Sequence, residues 1–194
     1  MKEKSTKDRL VEIGEEFFSK NGYNATSISD ICERAGVSKG AFFHYFPTKE
    51  SFFLEVLDKW LFELSERLQT YKEVSGNVPD SILKMTEIFN DIFRESKDKF
   101  FLFLEFLRWG VKDEKILKRL GEYFNKYEEY FSHLIEEGIR EGSFVDVDPH
   151  IVSHSLISFS LGTILQEIFD PLKDWGKISK EGIKLIISSI KKGE

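Results

Sequence analysis

The stretch that most restricts this chain is residues 27–50, SISDICERAGVSKGAFFHYFPTKE. Ser27 stands three residues before Asp30, so its hydroxyl can accept the Asp30 amide while the carboxylate favours the positive end of a helix. Ile28, Ile31 and Cys32 follow at helical spacing and turn one face of that helix to a core. Gly36 marks the stop, because a tight turn there needs a residue that enters the left-handed region without a Cβ penalty. Ser38 opens the next helix, Lys39 to Phe46, which buries Phe42 and Phe46 and sends Ser38, Lys39, Phe43 and His44 the other way. Pro47 ends it, and Thr48 caps a third, longer helix from Lys49. Helix, glycine turn, helix is the arrangement that lays a second helix in the DNA major groove; the competing reading is an ordinary helical hairpin in a bundle.

The same stretch resembles the TetR family of one-component transcriptional regulators. The likeness is carried by Gly36-Val37-Ser38-Lys39-Gly40, by the aromatic run Phe42 to Phe46, and by Pro47-Thr48-Lys49-Glu50. What the resemblance implies is an all-α fold of about nine helices: a three-helix helix-turn-helix DNA-binding head, residues 1–48, and a helical ligand-binding and dimerisation domain, residues 49–194. It implies that Lys39 and His44 donate to guanine acceptors and that Phe43 meets a thymine methyl. Thr26, Ser27, Tyr45, Thr48 and Lys49 would then face phosphates, with Ser38 and Gly40 at the start of the reading helix. Family members more often carry a tyrosine where Phe43 stands, so a hydrogen bond from that hydroxyl is not available to this chain.

Net charge is −6, which lends DNA binding no support. Residues 1–50 carry as many basic as acidic side chains, so the whole acidic excess lies beyond them. Support is local: Lys39, Lys49 and the arm residues Lys2, Lys4 and Lys7 can face phosphates while Glu12, Glu15 and Glu16 face elsewhere. The single cysteine, Cys32, excludes a disulfide framework within one chain and reads as a small core residue. No secretory apolar region opens the sequence, and the apolar runs around Phe100 to Leu104 and Leu156 to Leu165 read as too short or too interrupted to span a bilayer; the expectation is a cytoplasmic protein with no membrane partner.

Elsewhere the helical period repeats. A first helix from about Thr6 to Asn21 carries Leu10, Ile13, Phe17 and Phe18, with Asn21-Gly22 as its stop. The helix from Lys49 to about Tyr71 is long enough to leave the head. Another runs from about Pro79 to Arg94, and Phe100 to Leu107 is apolar all round except for Glu105, as for a helix in the middle of a core. A one-sided stripe of Leu117, Leu120, Phe124, Tyr127, Phe131, Leu134 and Gly138 marks a helix from about Glu114 to Glu141. Two last helices, about Pro149 to Phe169 and Ser179 to Lys191, carry more apolar surface than one face needs, which points to a subunit interface. The family resemblance implies the same homodimer, with Ile157, Leu161, Ile164, Ile168, Ile183 and Ile187 as the interface candidates.

Nineteen phenylalanines exceed what one small core uses, and ligand pockets in helical domains are lined by aromatic side chains with a few polar groups. Phe89, Phe93, Phe103, Phe106, Trp109, Phe124 and Tyr127 are the candidate lining, with Asn90, Glu105, Arg108 and Gln166 as polar anchors; the plainer alternative is core for the rings and an internal Glu105–Arg108 pair. His150 and His154 share a helix face at a spacing that can hold a metal, but no third ligand is evident, so surface or interface histidines and no metal are expected. No glycine-rich phosphate loop or nucleophile constellation suggests an enzyme or a cofactor. The expected function is a ligand-responsive regulator, a repressor released from a palindromic operator by a hydrophobic small molecule. The alternative is a helical carrier of lipophilic molecules with no DNA function.

Overall fold

A computed structural model describes residues 5–69, 77–95 and 97–193. Among the described residues nine helices follow in order: α1 (Thr6–Ala25), α2 (Ile28–Ala35), α3 (Lys39–Tyr45), α4 (Lys49–Gln69), α5 (Val78–Glu95), α6 (Lys97–Gly110), α7 (Glu114–Arg140), α8 (Pro149–Phe169) and α9 (Trp175–Ile190). The all-α architecture expected from the sequence is the one observed. The chain divides into two compact units, one formed by Met1–Leu64 with Ser96–Leu120, the other by Ser65–Glu95 with Gly121–Glu194.

In the first unit Ser5 and Asp8 form a reciprocal capping box at the start of α1. The helix breaks at Gly22, whose φ of 73° only glycine adopts without strain. Beyond the break the Thr26 hydroxyl donates to the carbonyls of Phe17 and Gly22, closing the end of α1. Interlocked rings make the core: Phe42 and Phe46 lie 5.0 and 4.8 Å from Phe52, and Phe18 lies 4.8 Å from Phe53. Each such fully buried ring stabilises the fold by roughly 1.5–3 kcal/mol through area burial, before any gain from edge-to-face geometry. Gly14 lets α4 come close, since a Cβ there would strike the Phe52 ring. Helix α6 packs on α1 and buries Leu102, Phe103 and Phe106, but Phe101 is half exposed. The expectation that this helix is surrounded by core therefore holds for one face only. On α7 Ile116 takes the inward place and leaves Leu117 exposed, which shortens the expected stripe by one member.

In the second unit α5, α8 and α9 pack on one another, burying Ile82, Met85, Val152, Leu156, Ile183, Ile187 and Ile190. Gly182 permits the α8–α9 approach, because a Cβ there would meet the Phe159 ring. Helix α9 begins a turn before the expected Ser179, capped by Asp174, whose carboxylate accepts the Lys177 amide at 3.0 Å. Trp175 decides the earlier start, for its ring is buried and its indole N–H donates to the Asp170 carbonyl at 2.7 Å. The segment after α7 is pinned to the end of α9 by an isolated antiparallel bridge between Phe144 and Lys191.

One expectation needs correction here. Ile183 and Ile187 are fully buried within their own unit and Ile164 nearly so, which removes them from any subunit interface. The period of α9 placed them on an apolar face, and the core took that face. Helix α8 is by length and composition alone apolar enough to cross a membrane, and 33% of its most apolar 18-residue stretch is buried in the fold.

Candidate nucleic-acid interface

The expected caps are all made. The Ser27 hydroxyl accepts from Asp30 N at 3.1 Å, that of Ser38 from Ala41 N at 3.1 Å, and that of Thr48 from Ser51 N at 3.0 Å. Gly36 takes φ 67° and ψ 35°, and its amide returns to α2 at Glu33 O, 3.1 Å. From α1 the Arg9 guanidinium donates to Ala35 O at 2.6 Å, satisfying a terminal carbonyl of α2 at the turn. The α2–turn–α3 unit is thus held at each of its ends.

Helix α3 then divides by face as its sequence requires. Phe42 and the C-cap Phe46 go inward, while Ser38, Lys39, Gly40, Phe43, His44 and Tyr45 are exposed, Phe43 by 46% and Tyr45 by 41%. Both rings are therefore open to contact from outside the fold. A Cβ at Gly40 would meet only Ser38 Oγ, at 3.7 Å, so the fold itself does not demand glycine there. Ser27 is half-buried and Thr48 exposed, each beside a helix N-terminus with free amides.

Three candidates stand elsewhere than expected. Thr26 is 1% exposed and spends its hydroxyl on two carbonyls, so it cannot meet a phosphate. The Lys49 ammonium lies 4.5 Å over the Tyr23 ring, and burial pulls its pKa below the ordinary lysine value. Lys7 is paired with Glu55, and Lys2 and Lys4 lie outside the described residues.

The ligand candidates do not form one group. Phe103, Glu105, Phe106 and Trp109 belong to the first unit, where Phe106 lies 4.7 Å from Phe53 and Phe103 lies 5.8 Å from Trp60. Phe124, Tyr127 and Gln166 belong to the second. Burial pushes the Tyr127 phenol up to about 12, and its oxygen sits 3.1 Å from Ser65 Oγ. Gln166 is exposed and donates to Gly162 O. The side chains of Phe89, Asn90 and Phe93 lie outside the described residues.

Glu105, expected as a ligand anchor, is saturated by the protein. Its Oε1 accepts Tyr23 N–H at 2.6 Å, Arg108 Nη2 at 2.6 Å and Trp109 Nε1 at 3.2 Å, and its Oε2 accepts Arg108 Nε at 3.0 Å. Burial alone would raise this carboxyl, but those bonds outweigh it and hold the group below the usual carboxylate range. Sequence reasoning saw the Glu105–Arg108 spacing and missed Tyr23, which no local pattern links to it.

Of the interface candidates, Ile157 and Leu161 are half-buried and Ile168 is exposed. Outside that candidate set, Leu165, Phe169, Leu172, Ile178 and Leu185 are also exposed, Leu172 by 96%. His150 Nδ1 lies 2.8 Å from Glu128 Oε1, and His154 is exposed; among the described residues no cluster of three or more His, Cys, Asp or Glu side chains is placed to hold a metal.

Residues 10–56 match the family of bacterial regulatory proteins described as tetR. The chain is 28% identical over 150 residues to the transcriptional regulator QacR of Staphylococcus aureus, covering 76% of this chain and 78% of that one. A TetR transcription regulator from Haloarcula marismortui superposes with a TM-score of 0.87 at 17% identity, over 96% of this chain and 98% of the other. A transcriptional regulator from Saccharomonospora viridis, solved in complex with choline, gives 0.83 at 16% identity over 96% and 98%. At such identities the structural likeness is one of fold. In sequence, then, residues 10–56 form a TetR-type head, and nearly the whole length of the chain shares the fold of solved TetR regulators.

Proposed function

We propose that the protein is a homodimeric repressor that binds a palindromic operator through α3 and leaves it when a hydrophobic small molecule binds. The observation that carries this reading is the face of α3, where Lys39, Phe43, His44 and Tyr45 stand exposed between two capped helix starts. Residues 1–48 would read DNA, and residues 49–194 would carry ligand recognition and dimerisation. Lys39 and His44 donate to base acceptors, Phe43 meets a thymine methyl, and the amides at Ser27 and Thr48 meet phosphates. Dimerisation is supported by the exposed apolar side chains of α8, α9 and the loop between them, which are more than a monomer leaves bare. The choline complex concerns another protein of the same fold, and it favours a small-molecule effector for this one. Release requires only that the ligand favour the arrangement that binds DNA less well; operator DNA must then weaken the ligand by the same factor. The setting is the cytoplasm.

The test is selection of duplexes from a random library, followed by mobility shifts across a salt series. A palindrome is expected, and His44→Ala should relax base preference at one position of each half-site. Lys39→Ala should weaken the selected site by about 1–3 kcal/mol if it reads a base. Salt-insensitive or absent binding to every duplex overturns the reading in favour of a carrier of lipophilic molecules. An equilibrium sedimentation mass near 22.7 kDa would overturn the dimer.

A further inference from the structure

We infer that Glu105 is a positioning residue for DNA binding, a carboxylate on α6 that never meets DNA but fixes the end of α1 from which α2 and α3 are hung. The inference rests on the DNA-binding reading above. Its geometry begins at Gly22, where φ 73° and ψ 169° interrupt α1 and the Tyr23 amide is taken by Glu105 Oε1 at 2.6 Å, across 82 positions of sequence. A Cβ at residue 22 would lie 3.3 Å from that same oxygen, so the break and the carboxylate fit each other closely.

What the bond fixes is Tyr23. Its ring lies 4.9 Å from Phe53 and 5.8 Å from Phe18 in the head core, and 4.3 Å from Trp109 on α6. Above it stands the Lys49 ammonium at 4.5 Å, at the first residue of α4 and just beyond the reading helix. Trp109 also donates its indole N–H to Glu105, so ring and carboxylate brace one another. From Tyr23 the chain needs three residues to reach Thr26, buried at the end of α1, and Ser27, the cap of α2. Moving Tyr23 therefore moves the start of the helix-turn-helix against α6.

Other roles for Glu105 fit less well. Arg108 is 48% exposed, so that ion pair is screened by water, whereas the Glu105 side chain is only 12% exposed and the Tyr23 bond is part-buried. As a ligand anchor the group would have to surrender bonds to three separate donor residues.

The experiment compares Glu105→Gln, Glu105→Asp, Glu105→Ala and Arg108→Ala with the wild type, and with Ile82→Val in the other unit as a control for lost stability. Two readouts are taken where every variant is folded by circular dichroism: hydrogen exchange at the Tyr23 amide, and affinity for the duplex the wild type selects at fixed salt. Glu105→Ala and Glu105→Asp should speed Tyr23 exchange about tenfold or more, as loss of a charge-assisted bond requires, and weaken duplex binding by a similar factor. Glu105→Gln keeps an oxygen for the amide and should restore most of both; Arg108→Ala and Ile82→Val should leave both within about threefold. Unchanged Tyr23 exchange in Glu105→Asp and Glu105→Ala overturns the clamp. Faster exchange with unchanged duplex affinity overturns the positioning role and leaves a structural one. If the wild type selects no duplex, the regulator reading and the positioning role both fail, and exchange alone decides whether the clamp exists.

Discussion

The helix-turn-helix and the α8–α9 pair were equally rich in sequence signal, yet the caps, turn and inward residues of α2 and α3 fell where expected while the inward face of the second pair did not. In the head, Ser27, Gly36, Ser38 and Thr48 act on amides and carbonyls within a few positions of themselves. Their partners lie within the same turn or helix end, so the local sequence names them. In α8 and α9 apolar side chains surround much of each helix, and which of them turn inward depends on partners that the period does not name. Punctuation, more than hydrophobicity, makes a helix legible.

Four measurements press on that contrast, the strongest first. Phe42→Ala should cost about 3–5 kcal/mol of stability by urea unfolding, while Leu185→Ser at an exposed position of α9 should leave the monomer within about 0.5 kcal/mol. If the two costs are equal, the inward face of α9 has been misplaced. Gly182→Ala forces the Phe159 ring aside and should cost about 1–3 kcal/mol; a neutral result would show that α8 and α9 are not closely apposed. Ser38→Ala and Asp174→Ala each remove a cap and should each lower stability by about 1 kcal/mol, read from thermal midpoints. Only the Ser38 change should also disturb duplex binding.

The smallest effects are those of pH, and they have opposite signs. Glu105 is held below its ordinary value, so the stability it contributes is present above the unfolded carboxyl pKa and is lost as pH falls through the lower folded one. For His150 the Glu128 hydrogen bond raises the imidazole, so its contribution is full below the unfolded pKa and fades as pH rises through the folded one. Titration by NMR checks both; an acid-induced loss that persists in Glu105→Gln would assign the acid transition to other groups.

Much of the first unit could be read without coordinates, including the outward set on α3 and the buried Cys32. Thr26, Lys49 and Glu105 could not, and for one reason. Each is a polar group whose partner is tertiary: carbonyls exposed by a break in α1, a ring across the turn, an amide 82 positions away. Composition supplied the candidates, and distance in sequence hid their partners. The early start of α9 has a related cause, since Asp174 and Ser179 are both good caps and only the buried Trp175 decides between them. Ile183 and Ile187 were drawn to an interface by the same apolar period that puts them in the core.

Cys32 has a practical consequence. It is the only thiol in the chain, it is buried on α2, and its burial pushes the thiol up, away from the reactive thiolate. A cysteine introduced at an exposed position such as Ser189 would therefore be alkylated selectively at neutral pH without removing the native one. In the proposed dimer, paired spin labels or dyes could then report the distance between subunits with and without DNA, on a protein altered at a single surface side chain.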